Sequence, residues 1–310
     1  MPDYQPLFEL NQTALNDLNI VVLKGGPGSE RQVSLASGAA VANALRSQGH
    51  RITEIDVTDE CVKLPKNTDL VYNMIHGTFG EDGALQALLE QKGVPFTGEG
   101  SRGSRLAFDK ILTKRKFMEA SVPTPPFEIL QAGQQPSAAP PFVLKAPRQG
   151  STIGVHIVRD RSQIGPAMAD CLKYDHEVLL EAFFPGKELT VSIVADLALP
   201  IIEIIPNEET YNYQSKYVPG KSSYFVPARI SPSETEMIQK AALAAHNALG
   251  LRSYSRVDIL LNEAGGMAVL ELNTIPGMTS TSLMPKAAAA IGLDFPAICK
   301  IIGVLALQQR

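Results

Sequence analysis

"RVDILLNEAGGMAVLELNTIPG", residues 256–277, decides how this chain is read. Two apolar runs, 256–261 and 267–273, flank the turn NEAGG, which is the pattern of a β-hairpin. Alternate residues of a strand share a face, so Arg256 and Asp258 point one way on the first strand, and Glu271 and Asn273 share a face on the second. A register that pairs Asp258 with Glu271 brings two carboxylates and an amide together beside an arginine. Carboxylates packed in an apolar hairpin repel one another unless a cation sits between them. Oxygen ligands without His or Cys favour Mg²⁺ or Mn²⁺ over zinc. The alternative is a solvated sheet edge with an incidental acid pair, and the surrounding leucines and valines weigh against it.

Magnesium held by so few protein ligands takes the rest from phosphate oxygens and water. The charge balance supplies no general attraction for phosphate: 28 basic and 32 acidic side chains leave a net −4. Neither nucleic acid nor an anionic membrane is an expected partner, and any phosphate site must be built locally. Lys110, Lys145 and the turn "RQGSTIG" (148–154) are the candidates. Lys145 lies in the strand-like "PFVLKAP", where a lysine is expensive unless it meets an anion. The Gly-rich turn, taken alone, is equally well plain turn chemistry. "GGPGSERQ" (25–32) tempts, but it has neither the G-x-G-x-x-G spacing of a dinucleotide fold nor the G-K-[ST] ending of a P-loop.

Outward from the hairpin the chain is α/β. "NIVVLKGG" (19–26), "RITEIDV" (51–57) and "DLVYNMIHG" (69–77) read as strands, with helices over 33–50 and 83–94, a parallel α/β unit. A basic helix is expected over 105–120, and three strands of a second sheet at 142–147, 152–158 and 177–183. "AGQQPSAAPP" (132–141) is a loop, and 231–250 is a long helix capped by Ser231 or Ser233. No run approaches the ~18 uncharged residues a membrane helix needs. The acidic N-terminus lacks the pattern of an export signal. Cys61, Cys171 and Cys299 are scattered and odd in number, which fits a reducing cytoplasm better than a disulfide framework.

Taken in order, "GGPGSERQVSLASGAAV", "HGTFGEDGALQALLEQKGVPFTGEG", "FDKILTK", "FVLKAPRQGSTIGV", "LLEAFFPGKELTV", "YQSKY", "SRVDILL" and "ELNTIPGMTSTSLMP" resemble the D-alanine–D-alanine ligases of the ATP-grasp superfamily. The resemblance implies a three-domain α/β ATP-grasp fold: an N-terminal domain over 1–98, a central domain over 99–181 and a C-terminal domain over 182–310 that carries a closing loop at 207–228. It implies a homodimeric ligase that phosphorylates one D-alanine with ATP and lets the amine of a second attack, for peptidoglycan precursors. A D-alanine–D-lactate ligase, or a non-catalytic nucleotide-binding relative, is the alternative.

Position by position, Asp258, Glu271 and Asn273 resemble the ligands of Mg²⁺ or Mn²⁺, with two ions expected. Lys110, Lys145 and Lys216 resemble the phosphate lysines. Glu181, Phe183 and Phe184 resemble the adenine segment, and Glu188 the ribose carboxylate. Arg256 and the Gly277 amide would stabilise the oxyanion, Ser282 would take the second substrate's carboxylate, and Glu30 would hold the first substrate's ammonium. Tyr217 would join Ser151 and Glu30 in a network closing the loop. His76 lies near the first substrate; read from its residues alone, it is equally a satisfied loop histidine, and no strong base for the attacking amine is evident. Ala146 stands where the family commonly has a proline, and Thr152 where it often has a serine.

Overall fold

A computed structural model describes residues 2–15, 17–206 and 222–308. A short helix α1 (Gln5–Gln12) precedes β1 (Asn19–Gly25), α2 (Arg31–Ser47), β2 (Arg51–Val57), β3 (Leu70–Asn73) and α3 (Ala84–Lys92). β1 is central, with β2 and β3 parallel to it on either side. Its unbroken apolar run Ile20–Leu23 is buried throughout, as a strand covered on both faces requires. The strand expected over 69–77 is shorter. The Asn73 carboxamide accepts the Ile75 N–H (2.9 Å) and donates to the Gly80 carbonyl (2.9 Å), turning the chain out of the sheet before His76.

The single basic helix expected over 105–120 is two, α4 (Ser101–Phe108) and α5 (Lys110–Glu119). Asp109 breaks it. Extended at φ −84°, ψ 104°, it caps α5 by accepting the N–H groups of Ile111 and Leu112. Lys110 consequently stands at the first turn of a helix.

A second sheet holds β4 (Phe127–Gln131), β5 (Phe142–Lys145), β6 (Val155–Val158) and β7 (Glu177–Ala182) in the order β4-β7-β5-β6, all antiparallel. Helix α6 (Ile164–Cys171) lies between β6 and β7 in sequence and packs on β5 and β6. β6 begins at Val155 rather than 152, because Ser151 and Thr152 take φ of 51° and 67°, a left-handed turn no strand accommodates.

The third sheet is built from β8 (Lys187–Val194), β9 (Leu197–Ala198), β10 (Ile202–Pro206), β11 (Ser222–Phe225), β12 (Tyr254–Leu261) and β13 (Met267–Asn273). Its order is β11-β10-β8-β12-β13, with β9 on β8. The last residues of the segment expected as a loop over 207–228 are therefore partly strand: Ser222–Phe225 pair with Glu203–Pro206. Residues 207–221, with Lys216 and Tyr217, lie outside the described residues.

Helix α7 (Pro232–Ala248) packs on β8, β12 and β13, and Ser231 with Glu234 forms its capping box. Helices α8 (Leu283–Ala289) and α9 (Phe295–Gln308) follow, and α9 returns to pack on α1, α2 and β3. One apolar core accordingly joins Val22, Leu45 and Tyr72 of the first sheet layer to Tyr254, Ile275 and Met278 of the third. No described helix is long and apolar enough to cross a membrane.

Candidate active site

The hairpin has the register that its alternation suggested. Asp258 faces Glu271 and Arg256 faces Asn273, so all four side chains share one face of the sheet. A bulge between Asp258 and Ile259 breaks the register there. The Arg256 guanidinium grips both Asp258 oxygens, Nε to Oδ1 at 3.0 Å and Nη2 to Oδ2 at 2.8 Å. Thr190 donates to Oδ1 at 2.6 Å, and Asn273 Nδ2 lies 3.5 Å from Oδ2. Lys110 Nζ approaches Glu271 at 3.4 Å while donating to the Gln149 carbonyl at 2.7 Å.

Two cavities meet at this hairpin. The smaller, about 130 Å³, is lined by Lys110, Lys145, Glu188, Asp258 and Glu271. The larger, about 450 Å³, takes in Glu30, His76, Ser151, Arg256, Asn273, Gly277 and Ser282, with Lys110 and Glu271 again in its wall. Lys110 and Glu271 thus stand at the junction of the two. Phe183, Phe184 and Glu181 line neither; Phe183 packs its ring 5.5 Å from the Arg159 guanidinium.

Glu181 is buried beneath the smaller cavity between two lysines, Lys114 Nζ at 2.6 Å and Lys145 Nζ at 2.6 Å. Burial would raise its carboxyl, but the two cations overcome that and hold it below the ordinary range. Burial likewise works against the charge on Lys145, yet Glu181 and Glu271 together hold its ammonium above the usual lysine value. Lys114 has no such balance. Enclosed completely and facing the like charge of Lys145, it is pulled down to about 8 by burial despite Glu181. Lys114 escaped the sequence reading, although it sits one helical turn after Lys110, a spacing that puts both on one face.

At the far end of the larger cavity Ser151 donates to the Glu30 carboxylate. Two glycines make room for that carboxylate. A Cβ on Gly150 would come within 2.4 Å of Glu30 Oε2, and one on Gly77, at φ 71°, within 2.7 Å. The Gly77 and Gly150 backbones therefore have to stay bare for Glu30 to reach the cavity. Glu81 shares this wall, and burial with the nearby Glu30 charge raises its carboxyl. It too was missed, although it stands inside "HGTFGEDG". Ser282 Oγ accepts the Thr279 N–H at 3.0 Å at the start of α8.

Elsewhere, ligand atoms of Asp175, His176 and Glu177 lie within 4.8 Å of one another. Arg148 already occupies that cluster, donating to Asp175 at 2.6 Å, Glu177 at 2.9 Å and, from its third nitrogen, Asp109 at 2.8 Å.

Two antiparallel sheets whose lysines and carboxylates meet at a shared cavity, beside a parallel α/β layer, define a multidomain α/β protein of the ATP-grasp kind. Family models for the D-ala D-ala ligase C-terminus and N-terminus match residues 117–303 and 59–99. The chain is 47% identical to the D-alanine–D-alanine ligase of Methylacidiphilum infernorum, over 94% of this chain and 97% of the relative. It is 41% identical to that of Moorella thermoacetica, over 94% of this chain and all of the relative (100%). The crystal structure of the Bacillus anthracis D-alanine–D-alanine ligase complexed with ATP superposes with a TM-score of 0.84 at 30% identity, covering 95% of this chain and 98% of that one. The chain belongs to the D-alanine–D-alanine ligase family.

Proposed function

We propose that the two joined cavities carry out one ligation: ATP phosphorylates the carboxylate of a first D-alanine, and the amine of a second D-alanine displaces phosphate to give D-alanyl-D-alanine. The observation that carries this reading is the shared position of Lys110 and Glu271. A phosphoryl group held in the smaller cavity passes to a carboxylate in the larger one across the wall the two share, where Lys110 and Glu271 are the charged residues beside Gln149 and Gly150. Lys145 and Lys110 neutralise phosphate oxygens, and Glu188, at the rim of the smaller cavity, takes the ribose hydroxyls. Adenine sits by Glu181, Phe183 and Phe184. Glu30, backed by Ser151, holds the first ammonium, and Ser282 the second substrate's carboxylate. Arg256 and the Gly277 N–H face the oxyanion that develops on the first carbonyl.

The donor set of Asp258, Glu271 and the Asn273 carbonyl suits hard divalent ions, Mg²⁺ or Mn²⁺, which would spread the charge of the transferring phosphoryl group. The segment 207–221 supplies Lys216 to the γ-phosphate and Tyr217 to Ser151 and Glu30. Three domains divided near residues 98 and 181 clasp the nucleotide, and the enzyme works as a cytoplasmic homodimer on peptidoglycan precursors.

The test is ADP release from ATP that needs both D-alanine and a divalent metal, with D-alanyl-D-alanine identified as product. Competition between D-alanine and D-lactate, run on wild type and Tyr217→Phe, separates dipeptide from ester formation. Predominant ester from the wild type would overturn the choice of D-alanine as second substrate.

A further inference from the structure

The turn Ile275-Pro276-Gly277-Met278 is held at both ends by the first sheet layer. His76 Nδ1 lies 2.8 Å from the Ile275 carbonyl. Met278 donates its N–H to Ser37 Oγ at 3.2 Å, and the same oxygen lies 3.1 Å from His76 Nε2. Ser37 is on α2 and fully buried, and His76 is nearly so.

The carbonyl partner fixes one hydrogen of this circuit. A carbonyl only accepts, so Nδ1 carries the ring proton. In the neutral ring Nε2 is an acceptor, and the Ser37 hydroxyl donates to it while receiving the Met278 N–H. Every polar atom is satisfied with His76 neutral. The Nε2 lone pair is therefore engaged by Ser37, and the Nδ1 hydrogen by Ile275, with Glu81 its next neighbour at 3.5 Å. Pro276 has no N–H, and among the described residues the Gly277 N–H has no partner. The turn thus presents the Gly277 amide at the wall of the larger cavity.

We propose that Ser37 and His76 are positioning residues: a two-point clamp that aims the Gly277 amide at the reacting carboxyl, and that His76 is not the base for the attacking amine. The proposal rests on the reading of Gly277 as an oxyanion donor. Ile275 and Met278 bury their side chains in the core on either side, so the clamp has only the backbone orientation left to settle.

Substitutions at His76 separate the two roles. Asparagine places an amide N–H close to the position of Nδ1, whereas glutamine places one near Nε2. His76→Ala and His76→Gln are expected to lose about 100-fold in kcat, the scale of a misplaced oxyanion donor, with KM for ATP within about twofold. His76→Asn is expected to recover at least about tenfold of that loss and to keep the acid limb of the kcat/KM pH profile. An H76N enzyme as slow as H76A and without that limb would make His76 the base and overturn the clamp.

A second measurement does not depend on turnover. In Ser37→Ala, hydrogen exchange at the Met278 amide should quicken by about tenfold or more at unchanged Tm. Unchanged exchange there sinks the clamp. A wild type that makes no ADP with D-alanine would refute the ligase reading and leave this exchange result to decide the clamp by itself.

Discussion

Two groups of acids in this molecule look alike in composition and behave differently. Where the chain enters β7, Asp175 and Glu177 each receive one arm of Arg148, whose third nitrogen goes to Asp109, while His176 stays 80% exposed beside them. In the β12–β13 hairpin, Arg256 grips both oxygens of Asp258, and Lys110 approaches Glu271 at 3.4 Å while donating to the Gln149 carbonyl. The turn is a closed ion-pair cluster at the surface. The hairpin is open, facing two cavities with lysines on the opposite wall. Proximity of carboxylates is thus a poor guide to a cation site; the two groups differ in that the hairpin acids line cavities, whereas Asp175 and Glu177 are tied to Arg148.

The two groups of acids should differ most at Glu271. If Glu271 holds the metal as proposed, Glu271→Ala is expected to lower turnover by about 10³-fold or more while the far-ultraviolet circular dichroism stays native. Full turnover in that variant would end the hairpin's claim to the metal. Next in size is Lys145→Met, for which KM for ATP should rise by about 10- to 100-fold on the proposed role of Lys145 in neutralising phosphate. An ATP titration by calorimetry checks it.

A smaller effect follows from the pair of lysines on Glu181. Lys114 falls to about 8 in the folded protein, from an ordinary 10.5. Between those values the unfolded chain holds more protons than the native one, so the contribution of Lys114 to stability increases as pH rises through the window. Thermal unfolding of wild type and Lys114→Met from pH 7 to 10.5 should show the difference moving in favour of wild type; a flat difference refutes it.

Least affected should be the double variant D175N/E177Q. Its turnover and metal requirement are expected to stay within about twofold of wild type, with a loss of about 1 kcal/mol in stability, since the Arg148 pairs are partly exposed. A metal requirement that shifts with this variant would reverse the ranking of the two clusters.

Much of the chemistry was legible because charge in an apolar run is a local signal. Lys145 in "PFVLKAP" and Glu271 in "AVLELN" stand out without any fold, and the NEAGG turn made their partner strands readable. Local signals also account for the errors. Asp109 looks like one more polar residue in a helix until its side chain is seen capping α5. "FEILQ" between prolines and a glycine is too short to announce β4. Asn73 reads as a residue in mid-strand, and its bonds to Ile75 and Gly80 make it the last one.

Ser37 marks the limit. On its helix it is a small polar residue among alanines and valines, and no spacing in the chain points from it to Met278, 241 residues away. His76 and Ile275 are 199 residues apart. Periodicity, turn chemistry and charge are properties of neighbours in sequence, and from them follow the parallel first sheet, the hairpin and the lysines and carboxylates of the site. Which of those charges face a cavity, where the two cavities join, and how the Gly277 turn is aimed depend on contacts that exist only once the first and third sheets share a core. Those contacts were settled by packing, because burial and hydrogen-bond satisfaction act on whatever the fold brings together, however distant in the chain.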